Sequence, residues 1–193
     1  MSIDDLRLFV GVPLPLAYHE KLECLREKWG GRLQSKVSWT RQGNWHLTLQ
    51  FLGHVPVDKA EGIIEALSFV SAASFAFQGG GAGFFPNARR PRVAWVGLSK
   101  GREESIALAG SIARALHPLG FDPDRAEFKP HLTICRIRED RGDHWKDLQT
   151  DLARMEWPEF TVDRFVLWKS RLSPMGAQYD ALGEYRIGGE TKC

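Results

Sequence analysis

Long hydrophobic runs are missing from this chain. No stretch approaches the roughly 20 apolar residues that a helix needs to cross a bilayer. The start, Met1-Ser2-Ile3-Asp4-Asp5, has neither the basic residues nor the apolar segment of a secretory leader, so the expected location is the cytosol. Cysteine is scarce as well: the chain holds three, Cys24, Cys135 and Cys193. An odd count without short spacings argues against a disulfide framework or a thiolate zinc site, and all three are expected to be reduced. Neither sign of charge is in excess. Lys and Arg number 26 against 24 Asp and Glu, a formal net charge of +2, too small for wholesale wrapping of nucleic acid. With 43% apolar and 26% charged residues over 193 positions, disorder is not indicated, and one sizeable domain or two small lobes can form.

Two local features look suggestive and carry little. Gly79-Gly80-Gly81-Ala82-Gly83 lacks the Gly-Lys-Ser/Thr of a phosphate loop, and Phe84-Phe85-Pro86-Asn87 does not open a helix. It reads as a flexible turn between strands at about Phe75 to Gln78 and Arg92 to Leu98. Arg89, Arg90 and Arg92 form a local basic patch, either a solvated loop or a landing place for a phosphate backbone.

The telling feature occurs twice. His46-Leu47-Thr48-Leu49 and His131-Leu132-Thr133-Ile134 are 85 residues apart. In an extended chain successive side chains point to opposite faces, so Leu47, Leu49, Leu132 and Ile134 can enter a core while His46, Thr48, His131 and Thr133 line one surface. Two imidazoles and two hydroxyls suit acid-base chemistry on a phosphate, one neutral His taking a proton and a second, charged, giving one back. Alternation also places Cys135 on the histidine side, where the first copy has Gln50, so a thiol is not required. Metal ligation by His46 and His131 is a rival, but neither has an Asp, Glu or Cys at a short ligand spacing. His19, His54, His117 and His144 fall in predicted helices or loops and read as surface residues.

Periodicity supplies the frame. Arg7 to Val12 reads as a buried strand ended by Pro13 and Pro15. Helical spacing follows in Leu16, Leu22, Leu25 and Trp29, stopped by Gly30-Gly31, and later in Ile63, Ile64, Leu67 and Val70 behind an Asp58 cap. A third helix has Ile106, Ala109, Ile112, Ala113 and Leu116 inward. A fourth, capped by Asp143, has Trp145, Leu148, Leu152 and Met155. Val37-Ser38-Trp39 precedes the first motif strand, which closes at Gly53; the second runs from about Phe128 to Ile137. Two more strands lie near Phe160 to Trp168 and Gln178 to Ile187. About eight strands and four helices alternate irregularly, which indicates α+β rather than a doubly wound sheet. The repeat suggests two similar lobes, each a sheet covered on one face by helices, with no clean linker between them.

In combination, Arg7-Leu8-Phe9-Val10, HLTLQFLG from His46, FFPNARRPR from Phe84, KPHLTICR from Lys129 and SRLSPMGAQY from Ser170 resemble the 2H phosphoesterase superfamily. Within it they resemble the RNA 2′,3′-cyclic phosphodiesterases, also called 2′-5′ RNA ligases, across nearly the whole chain. Gly11, where the family usually has a small apolar residue, and Cys135 are departures that leave every expected catalytic position intact. The resemblance implies a single bilobal α+β domain over residues 1–193, with two antiparallel sheets, helices on their outer faces and a central cleft. It implies hydrolysis of RNA 2′,3′-cyclic phosphate ends to a 2′-phosphate without metal or cofactor, and reversible 2′-5′ joining of tRNA halves in some members. His46 then resembles the proton donor, His131 the proton acceptor, and Thr48 and Thr133 the phosphate-holding hydroxyls.

Physical chemistry adds Arg136 as a charge partner for the phosphate, provided that a bulge or a strand end brings it to the histidine face, and Phe51 or Phe9 as a platform for the terminal base. A monomer is expected. The alternatives are an RNA-end binding module without turnover, and a relative acting on another cyclic or 2′-5′ phosphodiester. Two histidines and two threonines argue against pure binding, which Arg or Lys would serve better.

Overall fold

The computed structural model describes residues 5–122, 127–173 and 176–189; Cys193 lies outside them. Nine strands and four α-helices form among these residues: β1 (Asp5–Pro13), α1 (Leu16–Gly30), β2 (Lys36–Trp39), β3 (His46–Pro56), α2 (Ala60–Ser68), β4 (Phe75–Phe85), β5 (Val93–Lys100), α3 (Arg102–Leu116), β6 (Leu132–Glu139), α4 (Trp145–Arg154), β7 (Phe160–Val162), β8 (Arg164–Ser173) and β9 (Gly176–Arg186). All pairings are antiparallel, in the order β7-β4-β5-β6-β3-β1-β8-β9, with β2 alongside β6. The two expected sheets, β3-β1-β8-β9 and β7-β4-β5-β6, are joined through one residue pair, Leu47 with Leu132.

Helices cover both sheets, in a crossed arrangement. The first helix follows β1 in sequence yet packs on the other lobe: the Tyr18 ring stacks on Trp157 at 5.2 Å and meets Phe160 at 5.4 Å. The Tyr18 hydroxyl donates to the Pro158 carbonyl at 2.8 Å and accepts from the Gly79 amide at 2.9 Å. Trp29 of the same helix donates to Asp151 of α4. Conversely α3, which follows β5 of the second lobe, packs on β3 and α2 of the first. The buried face of α1 begins at Tyr18, not at Leu16, which is 66% exposed; Leu16 lies two residues, about 200°, around the helix from Tyr18.

Several expectations are corrected. The predicted strand over Phe160 to Trp168 breaks at Asp163, because β7 pairs with β4 and β8 with β1, so the chain changes lobe there. Asp58 sits in a 3-10 turn and caps nothing. Asp143 accepts the Gln34 and Ser35 amides ahead of β2 instead of capping α4, and His144 takes the cap position. The first motif strand runs past Gly53 to Pro56, which puts His54 on a strand. The second begins only at Leu132, since Pro130 has no amide to offer a ladder.

The glycine-rich stretch is no turn. It lies inside β4, where it pairs with β5 through a register shift between Gly79 and Ala82. Its composition follows from what lies over the backbone: a Cβ on Gly79 would stand 2.7 Å from the Trp157 ring, and one on Gly83 2.4 Å from Trp95. Glycine here lets two indoles lie against a strand. Gly79→Ala should therefore destabilise the fold by about 1–3 kcal/mol, while Gly62→Ala, in α2 with only Leu119 at 4.0 Å, should stabilise it by up to ~1 kcal/mol. Urea midpoints of the two variants test this, and equal shifts would refute the packing account.

Candidate active site

The N-terminal ends of the two motif strands meet at Leu47 and Leu132, both fully buried. Antiparallel register about that pair sets His46 across from Thr133 and Thr48 across from His131, with the histidines on the diagonal. Alternation holds through the motifs: Leu49 and Ile134 are also buried.

Beyond the motifs alternation fails, in the same way in both lobes. The β1–β3 register passes from Gly11↔Thr48 to Val10↔Gln50, leaving Leu49 over. The β5–β6 register passes from Trp95↔Thr133 to Ala94↔Cys135, leaving Ile134 over. Each lobe thus carries a β-bulge three residues after its histidine, and a bulge re-aims the side chains that follow. Gln50 and Cys135 turn inward and are buried, whereas Phe51, 55% exposed, and Arg136 turn to the cleft. Of the two devices that could turn Arg136, a bulge or a strand end, the bulge is the one present. Cys135 is corrected from the histidine face to the core, where burial pushes its thiol up to about 12, an inert position. The end of β2 holds the second bulge: the Thr40 amide donates to Ile134 O at 3.0 Å and its hydroxyl to Thr133 O at 3.0 Å.

Both imidazoles are fixed alike. His46 Nδ1 donates to the Asn44 carbonyl at 2.8 Å and His131 Nδ1 to the Lys129 carbonyl at 2.6 Å, each two residues back. A carbonyl only accepts, so Nδ1 keeps its hydrogen and Nε2 is left to exchange a proton. Asn44 is itself anchored, its side-chain amide donating to Ala177 O of β9.

The settings differ beyond that. His46 sits among Phe9, Trp168 and Tyr179 with centroids at 4.7, 5.4 and 5.4 Å. His131 meets Phe85 edge-on at 4.9 Å and Trp95 at 6.5 Å. Burial depresses both: His46 falls to about 4, with the nearby His131 adding to the effect, and His131 falls too, helped by Arg136. Both are neutral at pH 7 in the free protein.

The cleft is about 810 Å³ and holds His46, Thr48, Thr133, Arg136 and Phe51 on its wall; Phe9 reaches it from a position only 3% exposed, behind His46. His131 stands beyond its edge. Four arginines that sequence reasoning missed, Arg7, Arg26, Arg41 and Arg138, also line it, and no Asp or Glu does among the described residues. Arg26 is partnered by Glu23. The available signal was spacing: Arg7 shares the Phe9 face of β1, and Arg138 the Arg136 face of β6. Tyr179 and Trp168 were missed as well, being distant in sequence from the motifs. Arg89, Arg90 and Arg92 are exposed on the β4–β5 turn, outside the cleft lining. His19 is half-buried and bonded to Leu14 O; His117 is exposed beside Asp122.

A family model described as LigT like phosphoesterase matches the chain twice, over residues 12–95 and 96–179, one copy per motif. The chain is 32% identical over 187 residues to the RNA 2′,3′-cyclic phosphodiesterase of Aquifex aeolicus, covering 95% of this chain and 98% of that protein. It is 35% identical over 177 residues to the protein of the same name from Archaeoglobus fulgidus, covering 92% and 98%. Escherichia coli LigT, solved with 3′-AMP, shares the fold at a TM-score of 0.76 over 96% of this chain and 99% of that one, with 22% identity. A Thermus thermophilus protein does so at 0.75 over 95% and 99%, with 26% identity. The antiparallel fold and the doubled family match together define a phosphoesterase architecture. The chain belongs to the LigT-like phosphoesterase family. No helix among the described residues is long and apolar enough to cross a membrane.

The histidine states can be observed directly. In NMR titration of the free protein the His46 ring should titrate near pH 4, well below the usual 6.5. Inorganic phosphate should raise that midpoint, because an anion beside an imidazole favours its charged form. A midpoint at or above 6.5 without phosphate would contradict the burial described.

Proposed function

We propose that this protein is a metal-independent hydrolase that opens the 2′,3′-cyclic phosphate at the end of an RNA strand to a 2′-phosphate. In this reading His46 is the proton donor and His131 the proton acceptor. The observation that carries the proposal is the pair of imidazoles on meeting strand ends, each tautomer fixed through Nδ1, above a cleft with arginines and no carboxylate on its wall among the described residues. A site built for a hydrolytic metal would be expected to offer carboxylate or thiolate donors beside the histidines. The names borne by the curated relatives agree in substrate.

In-line opening needs a base on the incoming oxygen and an acid on the departing one, on opposite sides of phosphorus. In a regular ladder, diagonal positions lie about 7–8 Å apart, somewhat less at Cβ, which leaves room for a phosphate between the rings. His131 takes the proton of water, water oxygen bonds to phosphorus, the bond to O3′ breaks, and His46 protonates O3′. Thr48 and Thr133 donate to the nonbridging oxygens and Arg136 balances their charge. Phe51 stacks on the terminal base, and Phe9 supports the His46 ring from behind. With a 5′-hydroxyl in place of water the same steps give 2′-5′ joining, so cut tRNA halves fit as substrates. The protein acts as a monomer.

Activity on an RNA 2′,3′-cyclic phosphate should survive EDTA and yield the 2′-phosphate, identified by phosphorus NMR. His46→Ala and His131→Ala should each lower turnover at least ~10²-fold, and Thr48→Ala and Thr133→Ala should cost less, one hydrogen bond each. Full activity in either histidine variant would overturn the mechanism. Tight RNA-end binding without turnover in the wild type would favour the binding-module reading.

The pH dependence has a definite sign. Productive free protein has one imidazole charged and one neutral, and both histidines are depressed below 6.5. The profile of kcat/KM should therefore be a bell with its maximum on the acid side of 6.5, falling as rising pH empties the acid. The kcat profile should lie higher, since bound phosphate restores the imidazolium. A kcat/KM maximum above about pH 7 would refute this.

A further inference from the structure

Each motif imidazole is turned by a carbonyl two residues before it, and the two carbonyls are held by different means. A free neutral imidazole favours its hydrogen on Nε2, so the opposite tautomer, with Nδ1 donating, has to be imposed by a fixed acceptor. In the second motif the acceptor is Lys129 O, at 2.6 Å, and the next residue is Pro130, which is buried. Proline fixes its own φ and restricts the residue before it to extended backbone, so the Lys129 carbonyl is set by the covalent chain. The first motif has Trp45 at that place. An indole imposes no such restriction, and the Asn44 carbonyl, 2.8 Å from His46 Nδ1, needs another hold.

The Asn44 side chain supplies it. Asn44 lies in a largely exposed loop between β2 and β3 in which Gly43 takes a left-handed conformation, φ 84°. Within the loop its backbone amide donates to Arg41 O at 3.0 Å, and the Gly43 amide reaches His19 Nδ1 only at 3.4 Å. The short bond leaves the loop altogether: the side-chain amide donates to Ala177 O of β9 at 2.6 Å, across 133 residues of sequence. Ala177 and Tyr179 line the cleft together, and the Tyr179 ring meets His46 edge-on at 5.4 Å. One strand therefore walls the imidazole and ties the residue whose carbonyl orients it. The walls cannot orient it alone. Phe9, Trp168 and Tyr179 confine the plane of the ring, but a half-turn about the bond to the ring preserves that plane while exchanging Nδ1 with a carbon. Only a directed acceptor distinguishes the two edges.

We propose that Asn44 is a positioning residue for His46: its side-chain tie to β9 holds the carbonyl that keeps the His46 hydrogen on Nδ1 and leaves Nε2 to the cleft. Released from Ala177, the carbonyl turns away, the neutral ring reverts to a mixture of tautomers and edges, and part of the population presents the wrong atom to the phosphate. His131, set by Pro130, keeps its tautomer. The tie is independent of the chemistry, whereas its effect on turnover rests on the reading of His46 as proton donor.

Heteronuclear NMR of the ring nitrogens tests this in the free protein at pH 7, where both rings are neutral. Asn44→Ala removes the side-chain amide, and Asn44→Asp keeps the shape of the side chain without the donor. In both, His46 should show both tautomers while His131 retains its hydrogen on Nδ1. On an RNA 2′,3′-cyclic phosphate, kcat should fall about tenfold in both variants while KM stays within about twofold of wild type. A wild-type tautomer in folded Asn44→Ala, or wild-type tautomer and kcat in Asn44→Asp, would overturn the proposal. So would a raised KM at constant kcat, which would make Asn44 a substrate contact, and so would equal disturbance of both histidines, which would make its role merely structural. A wild type inactive on the cyclic phosphate would overturn the phosphodiesterase reading instead, and the tautomers, read without substrate, would still decide the tie.

Discussion

The two sheets of this protein are joined at a single residue pair, Leu47 with Leu132, and the relative placement of the two histidines depends on that contact being held. One pair of ladder bonds is far too little to fix two sheets, since a net hydrogen bond contributes only about 1 kcal/mol. What holds it is the exchange of helices. The first half of the chain sends α1 to the second lobe, where Tyr18 and Trp29 are tied to Pro158, Gly79 and Asp151. The second half sends α3 back onto β3. Separating the lobes would require pulling a helix off each sheet and exposing one continuous core, so the site is stiff although its floor is narrow.

The second organising device is the pair of bulges at Leu49 and Ile134. Without them, strict alternation would bury Phe51 and Arg136 and bring Gln50 and Cys135 to the cleft. The inversion changes what each lobe offers three residues past its threonine: an exposed ring in one, a guanidinium in the other. A duplicated scaffold thereby offers the cleft an aromatic ring from one lobe and a guanidinium from the other. The backbone device is the same in both lobes, and only the side chain it delivers differs.

This also explains what was legible in the sequence. The two His-x-Thr strands and their buried leucines obey a local rule, period two, and could be read from each motif alone. The Arg136 position obeys it only after a correction that depends on β5 and on Thr40, and neither is visible from the motif. The glycine-rich stretch misled for a similar reason. Glycine usually marks a turn, but Gly79 and Gly83 are set by indoles from Trp157 and Trp95, and nothing local announces that a ring will lie on the backbone. Likewise Asp143 has the place of a helix cap because α4 follows it, whereas its carboxylate serves the amides of Gln34 and Ser35 from over a hundred residues away in sequence. Local periodicity reported the elements, and the errors fell where a distant segment took over a residue's side chain.

Charge is divided in the cleft between groups that can lose it and groups that cannot. The arginines Arg7, Arg41, Arg136 and Arg138 supply permanent positive potential where a phosphate would lie. The histidines, pressed toward neutrality by burial, His46 also by His131 and His131 also by Arg136, add none until an anion arrives. Two charged imidazoles on the diagonal of one small site would repel each other and would leave neither able to accept a proton. Holding both neutral in the free protein lets the incoming phosphate favour protonation of one, and the aromatic enclosure of His46 by Phe9, Trp168 and Tyr179 shields that ring from water more than the edge-on contacts shield His131. Burial that depresses an isolated imidazole also strengthens its attraction to a neighbouring anion, because the same low dielectric acts on both. The more enclosed histidine therefore gains most from the bound phosphate, which is the behaviour required of the proposed donor.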